Sequence, residues 1–336
     1  MAQCAKCRIP ASLQCTRCRD APEYKLGDAI NIVYCSRECQ RSDWQAHKSR
    51  CATLGRRKKL FRAATMLKAT LLTYRAAFYD IPLAKVEVHD DVLYLYRHPS
   101  NKYGHTPFPE DVTANVAHRE AALTHNQCTL ARALLGPLAR KLLADVASSL
   151  ENLDLYIVRP LMATNIANDN FNGGNHTVLK VRVRSSNEMW IVDTAGSQYG
   201  FADALVSYDR YIAEKSGAGL VGDPTPYTDS ETTDIEVIQG IQSEMDLFGF
   251  SKVLGGSAGS PLERKLKKFA TESQTDMFAQ QRKGRLHFAS FVEQHVGTEK
   301  DLFDPSKDLD GSAHEFERKL KRFMTELKTH MEGLTV

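Results

Sequence analysis

Seven of the chain's eight cysteines lie before residue 52, six of them in three close pairs. With one histidine they form the run Cys4-x2-Cys7-x7-Cys15-x2-Cys18-x16-Cys35-x3-Cys39-x7-His47-x3-Cys51. Cysteines separated by two residues present both sulfurs from one tight knuckle. Cysteines four apart share one face of a helical turn. Eight such donors fill two tetrahedral zinc sites. A segment this short buries too little apolar surface to fold alone, so metal binding there is part of its folding free energy. A disulfide scaffold spreads its cysteines over the fold; clustered pairs point to metal instead.

The rest of the composition narrows the class. A chain of 336 residues has room for such a module and a larger body. The net charge of +3 supplies no field aimed at nucleic acid or an anionic membrane, so neither direct nucleic-acid readout nor a membrane partner is expected. The longest apolar candidate, Ala63 to Phe78, carries Lys68 and Arg75 and is shorter than the ~20 residues of a membrane span. The opening MAQCAKC lacks the apolar core of a secretion signal. Reduced metal-binding thiols are expected in the cytoplasm or nucleus.

The stretch YCSRECQRSDWQAHKSRC, Tyr34 to Cys51, resembles the MYND zinc finger, and the resemblance extends over about residues 4 to 51. It implies interleaved ligands in a treble-like, cross-braced finger. One structural zinc ion takes Cys4, Cys7, Cys35 and Cys39; the other takes Cys15, Cys18, His47 and Cys51. Both sites are then closed, and no zinc catalysis is expected. The resemblance also implies a protein partner, with a shallow groove for a proline-rich peptide at Thr16, Gln40 and Trp44. The alternative for Trp44 is packing inside the small core. The long spacer from Arg19 to Tyr34 departs from the family pattern and is expected to form a loop or hairpin. A second stretch, His176 to Gly200, is similar to one found downstream of the finger in a group of fungal MYND proteins. The SET-domain motifs that accompany some MYND fingers are missing, so a methyltransferase is not expected.

Beyond residue 52 the pattern is that of an α+β body (53–215), a loop-rich linker (216–260) and a helical C-terminal region (261–336). Leu60, Ala64, Leu67, Leu71, Tyr74 and Phe78 follow helical spacing with one buried stripe, ended by Pro82. The preceding run Arg56-Arg57-Lys58-Lys59 is a solvated helix face or a nuclear-localisation patch. Ala84, Val86 and Val88, an Asp90-Asp91 turn and Val92 to Tyr96 predict a hairpin. Helices are predicted from about Asp111 to Leu135 and, after Gly136-Pro137, to about Leu150. Strands are predicted at Leu153 to Val158, Thr177 to Val183 and Met189 to Asp193, and a helix at 201–214. Ser216 to Thr233 and Gly255 to Ser260 read as loops. Glu263 to Phe269 is echoed by Glu317 to Phe323, both basic and helical in spacing.

Three constellations invite chemistry. Cys128, His176 and Asp193 are ordered like a thiol enzyme of the transglutaminase or papain kind, with cysteine on a helix and His and Asp on successive strands. An inert cysteine inside one long helix, with an ordinary strand histidine, is the competing reading. Asp308, Asp310, Gly311 and Glu317 match calcium-loop positions within Ser306 to Glu317, although Ser306 stands where Asp is usual; an acidic loop capping the last helix is the alternative. His118, His125 and Cys128 share a helix face but are spaced like ordinary helix residues. The expected function is therefore a zinc-dependent adaptor that binds a partner peptide. A thiol enzyme using Cys128, His176 and Asp193 is the alternative.

Overall fold

In a computed structural model the described residues are 2–28, 32–98, 105–168, 175–217, 221–227, 279–298 and 302–334. A two-stranded ribbon, β1 (Leu13–Gln14) with β2 (Val33–Tyr34), opens the finger. Ser36 caps α1 (Arg37–Ser42), its hydroxyl accepting from Cys39 N–H at 3.2 Å. Asp43 interrupts the helix and is held by the Tyr34 hydroxyl at 2.9 Å. The chain then enters α2 (Trp44–Ala77), a single helix of 34 residues.

This helix organises the molecule. Its first turns carry His47 and Cys51, and its remainder runs through the core of the body. The boundary expected after residue 52 falls inside it. The buried stripe expected from Leu60 onward forms: Leu60, Ala64, Leu67, Leu71, Tyr74 and Phe78 are all buried, and Ala63, Met66, Thr70 and Arg75 widen it, while Phe61 on the other side is 46% exposed. Arg75 is buried against Asp80 at 2.6 Å, and its Nε donates to Leu123 O. A charge in such a position persists only when paired.

The hairpin forms as expected from β3 (Leu83–His89) and β4 (Val92–Arg97), with Asp90 and Asp91 both at positive φ in a two-residue turn. A third strand, β6 (Ala163–Ile166), adds parallel to β4. Helix α3 (Val116–Thr124) packs Ala121, Ala122 and Leu123 with this sheet in one apolar cluster. The long helix expected over 111–135 is broken, because Asn126 adopts φ 54°. Helix α4 (Cys128–Leu143) then starts afresh and continues through Gly136 and Pro137, where a break was expected.

The second sheet is antiparallel, in the order β10 (Thr225–Pro226), β5 (Ala147–Tyr156), β7 (Asn175–Val183), β8 (Met189–Val192), β9 (Leu205–Ser207). Leu179, Val181, Val183, Trp190 and Val192 share the main core with α2 and α4. Leu153, Leu155, Val178, Ile191 and Val206 form a second cluster with Tyr211. The helix expected at 201–214 is β9, then α5 (Tyr208–Tyr211) and a π-turn, Ile212–Ser216. Helical residues 279–295 (α6), α7 (Pro305–Asp308) and α8 (Ala313–Glu332) complete the described chain. Phe288, Phe291 and Val292 of α6 and Phe316, Phe323 and Leu327 of α8 join the main core. The loop expected at Gly255 to Ser260 and the first copy of the basic echo lie outside the described residues.

Candidate functional sites

The eight finger ligands assemble into two clusters, Cys4 with Cys7, Cys35 and Cys39, and Cys15 with Cys18, His47 and Cys51. Local backbone explains the knuckles. Arg8 and Asp20 adopt positive φ just after the two Cys-x2-Cys pairs, and Arg8 and Arg19 N–H return to Cys4 and Cys15 carbonyls. A tetrahedral ion with Zn–S bonds near 2.3 Å places its sulfurs about 3.8 Å apart. In the first cluster Cys7 and Cys35 sulfurs are 3.4 Å apart, Cys35 and Cys39 3.4 Å, and Cys39 and Cys7 3.8 Å. In the second, Cys15 and Cys51 sulfurs are 3.7 Å apart, and Cys18 Sγ lies 3.6 Å from His47 Nε2. Four thiols and three thiols with one imidazole are donor sets zinc prefers. Both clusters fit structural zinc ions.

Trp44 opens α2 and is 41% exposed, with its ring 6.1 Å from the His47 ring; it does not pack inside the small core. Thr16 is exposed between the second pair of ligands, and Gln40 is half-buried on α1. The spacer from Arg19 to Tyr34 has a definite use. Tyr24 packs on Trp190 with ring centroids 5.3 Å apart, and Asp28 accepts two bonds from Arg57. Arg57 also pairs with Glu188 of the body at 2.6 Å. Lys58, 2% exposed, donates to Thr16 O and Asp310 O. The basic run expected to face solvent thus ties the finger to the body and to the loop before α8. Asp310 meets Lys58 and Lys59, and Asp308 meets Lys319. These lysines occupy the carboxylates a calcium ion needs. Ser312 and Glu315 close a capping box on α8, so the calcium reading gives way to the helix-capping one.

A second assembly lies in the body. Strand β8 pairs with β7 as far as Leu179 opposite Val192. Asp193 then turns away, its N–H reaching Ala204 O at 3.0 Å. The N-terminus of α4 lies beside the β7 backbone that this turn leaves open, and Thr177 N–H donates to the Cys128 thiol. Cys128 is the first residue of α4, half-buried, with its thiol beside the His176 imidazole. His176 gives Nε2 to Asp193 Oδ1 at 2.9 Å, and both residues are almost fully buried. Its Nδ1 is 3.4 Å from Gln198 Nε2. Tyr199 meets the imidazole edge to face at 5.0 Å.

The electrostatics follow from this packing. Burial disfavours the imidazolium, yet Asp193 and then Cys128 outweigh it and raise His176 to about 10. Burial likewise opposes ionisation of Cys128, but the His176 contact holds the thiol below its ordinary value. Asp193 is kept below the usual carboxylate range against the burial penalty by His176, then Lys215 and the Tyr211 hydroxyl at 2.7 Å. Lys215 is buried between the Phe201 and Tyr211 rings. The packing thus shifts His176 toward its protonated form and the Cys128 thiol and Asp193 carboxyl toward their ionised forms. Gly196 allows it: a Cβ there meets Asp193 Oδ2 at 2.3 Å.

The structure therefore brings Cys128, His176 and Asp193 together and leaves His118 and His125 out. Gln198, Tyr211 and Lys215 belong to the assembly but carried no spacing signal. Only their burial as polar groups marks them. Residues 4–51 match the family model described as MYND finger. No curated protein and no solved structure matches the chain. No helix among the described residues is long and apolar enough to cross a membrane. Residues 4–51 are therefore a MYND zinc finger with two closed metal clusters, joined by one continuous helix to an α/β body.

Proposed function

We propose that the chain is an adaptor whose zinc-organised finger captures a protein segment, with Thr16, Gln40 and Trp44 as the receiving residues. The observation that carries this is Trp44, a large aromatic left 41% exposed on a rigid helix that zinc anchors through His47 and Cys51 three and seven residues on. An aromatic with a fixed backbone is a low-entropy anchor for a partner. A proline-rich segment fits this anchor, because its extended backbone is preformed and stacks on aromatic rings. The cross-braced path, in which each cluster draws on both halves of the finger, supports a stiff binding face. Cysteines committed to zinc and not to disulfides favour a reducing compartment, cytoplasm or nucleus. The test is capture of partners or of a proline-rich peptide library by the full zinc-loaded chain and by Trp44→Ala. Loss of capture in the variant is expected; equal recovery removes the groove.

A second reading concerns the body. The 2.9 Å His176–Asp193 pair and the placement of Cys128 at a helix start favour a thiol nucleophile. Iodoacetamide labelling of Cys128 near neutral pH tests it. Fast labelling that is lost in His176→Ala is expected, and labelling no faster than that of an unfolded cysteine removes the reading.

A further inference from the structure

We propose that the Cys128 centre is an acyl-transfer site, in which Gln198 Nε2 and the free backbone N–H groups at the start of α4 receive the developing oxyanion. This rests on the thiol-nucleophile reading above and adds the substrate class.

The chemistry of the surrounding donors decides the class. Gln198 is buried, and its side chain is fixed at both ends. Its Oε1 accepts from Asn126 N–H at 3.1 Å, and its Nε2 lies 3.4 Å from His176 Nδ1. That second contact sets the amide nitrogen beside the ring nitrogen that faces the thiol. Helix α4 begins at Cys128 with no side-chain cap, so its first N–H groups stay available at the same end. Neutral N–H donors converging beside a thiolate are what a tetrahedral oxyanion from a carbonyl requires. A redox role lacks its second thiol: the other seven cysteines all belong to the finger clusters.

The step balances without an external oxidant or metal. The Cys128 thiolate attacks the carbonyl carbon, the C–S bond forms, and the carbonyl electron pair moves to oxygen. Collapse breaks the bond to the leaving group, which takes the proton held on His176. The resulting thioester is then cleaved by water or an amine. That nucleophile's proton goes to His176, and the thiolate is released. Asp193 acts as a positioning residue: it holds Nε2–H and keeps Nδ1 turned to the thiol.

The test uses the full zinc-loaded chain with p-nitrophenyl acetate near neutral pH. The expected result is a burst of one nitrophenolate per chain and an acetyl group mapped to Cys128 by peptide mass spectrometry. In Gln198→Ala, acetylation is expected to fall about 100-fold and far more steeply than iodoacetamide alkylation, which forms no oxyanion. Gln198→Glu, similar in shape but without the donor, is expected to fall in the same way and serves if the alanine variant does not fold. His176-dependent alkylation without any acetyl-enzyme overturns the acyl assignment and leaves the thiol centre standing. Alkylation no faster than in the unfolded chain overturns the thiol reading itself.

Discussion

The finger and the body centre both surround cysteine sulfur with groups that favour its thiolate, by opposite means. In the finger, seven sulfurs and one imidazole converge on two metal positions, and every donor is spent on coordination. In the body, one sulfur faces a protonated imidazole that a buried carboxylate holds in place. The metal-neutralised sulfur is a structural strut, because a closed tetrahedral site has no open position. The sulfur beside the imidazole stays half-buried, the setting that the proposed nucleophile requires. The same two residue types thus meet in two different settings, and the difference lies in what carries the positive charge.

Zinc removal should give the largest effect. Structural zinc supplies on the order of 10 kcal/mol per site, so chelation unfolds the finger. Because α2 carries ligands at one end and core at the other, loss of the finger also leaves Arg57 and Lys58 without Asp28 and Thr16. A clear drop in body stability, read by hydrogen exchange in β7 and β8, is expected. An unchanged body would show that the finger is energetically separate.

Next comes Arg57→Met, which leaves Glu188 and Asp28 facing each other without their cation. Breaking a buried pair by removing one partner costs about 3–5 kcal/mol, visible as a lower denaturation midpoint. Mixed-metal titration should stay at two zinc ions per chain, since Arg57 touches no ligand cluster.

Gly196→Ala should cost about 1–3 kcal/mol, because the added methyl must displace the Asp193 carboxylate. Its sharper readout is Cys128 alkylation, which should slow as His176 loses its positioning, while zinc content is unaffected.

The pH dependence separates the two centres further. His176 is raised from 6.5 to about 10 in the folded chain. The stabilisation this brings is therefore complete below pH 6.5 and is lost as pH rises through about 10. The melting-temperature gap between wild type and His176→Gln should narrow steadily across that window. Asp193, depressed in the fold, contributes in the opposite sense, and its share is lost only in acid. A gap that widens with rising pH would contradict the ion pair. The smallest stability change, under about 1 kcal/mol, is expected for Trp44→Ala, whose side chain is 41% exposed; its main effect should be on capture.

The finger was legible along the chain because its ligands are close neighbours there. Spacing within pairs is a local property that marks the eight donors, and the resemblance to the MYND finger implied which of them face one ion. The hairpin at Asp90-Asp91 was legible for the same reason, as was the alternation of β7. The helices were harder. Local pattern merged α3 and α4, since nothing nearby announces that Asn126 takes a left-handed conformation. Pro137 read as a stop, yet it sits in a helix whose burial outweighs one missing hydrogen bond.

The chain by itself determined the metal chemistry: residue type and spacing are enough where a metal supplies the convergence. Only tertiary structure decided the rest. Arg57 and Lys58 look like a solvated basic run until Asp28, Glu188 and Asp310 fold against them from distant segments. Cys128, His176, Asp193 and Gln198 are drawn from α4, the neighbouring ends of β7 and β8 and the turn that follows, spread over 70 residues of chain. No local rule brings them together. Their meeting depends on β8 leaving β7 after Val192 and on the helix that starts in that gap, and it is the packing of the core that holds both in place.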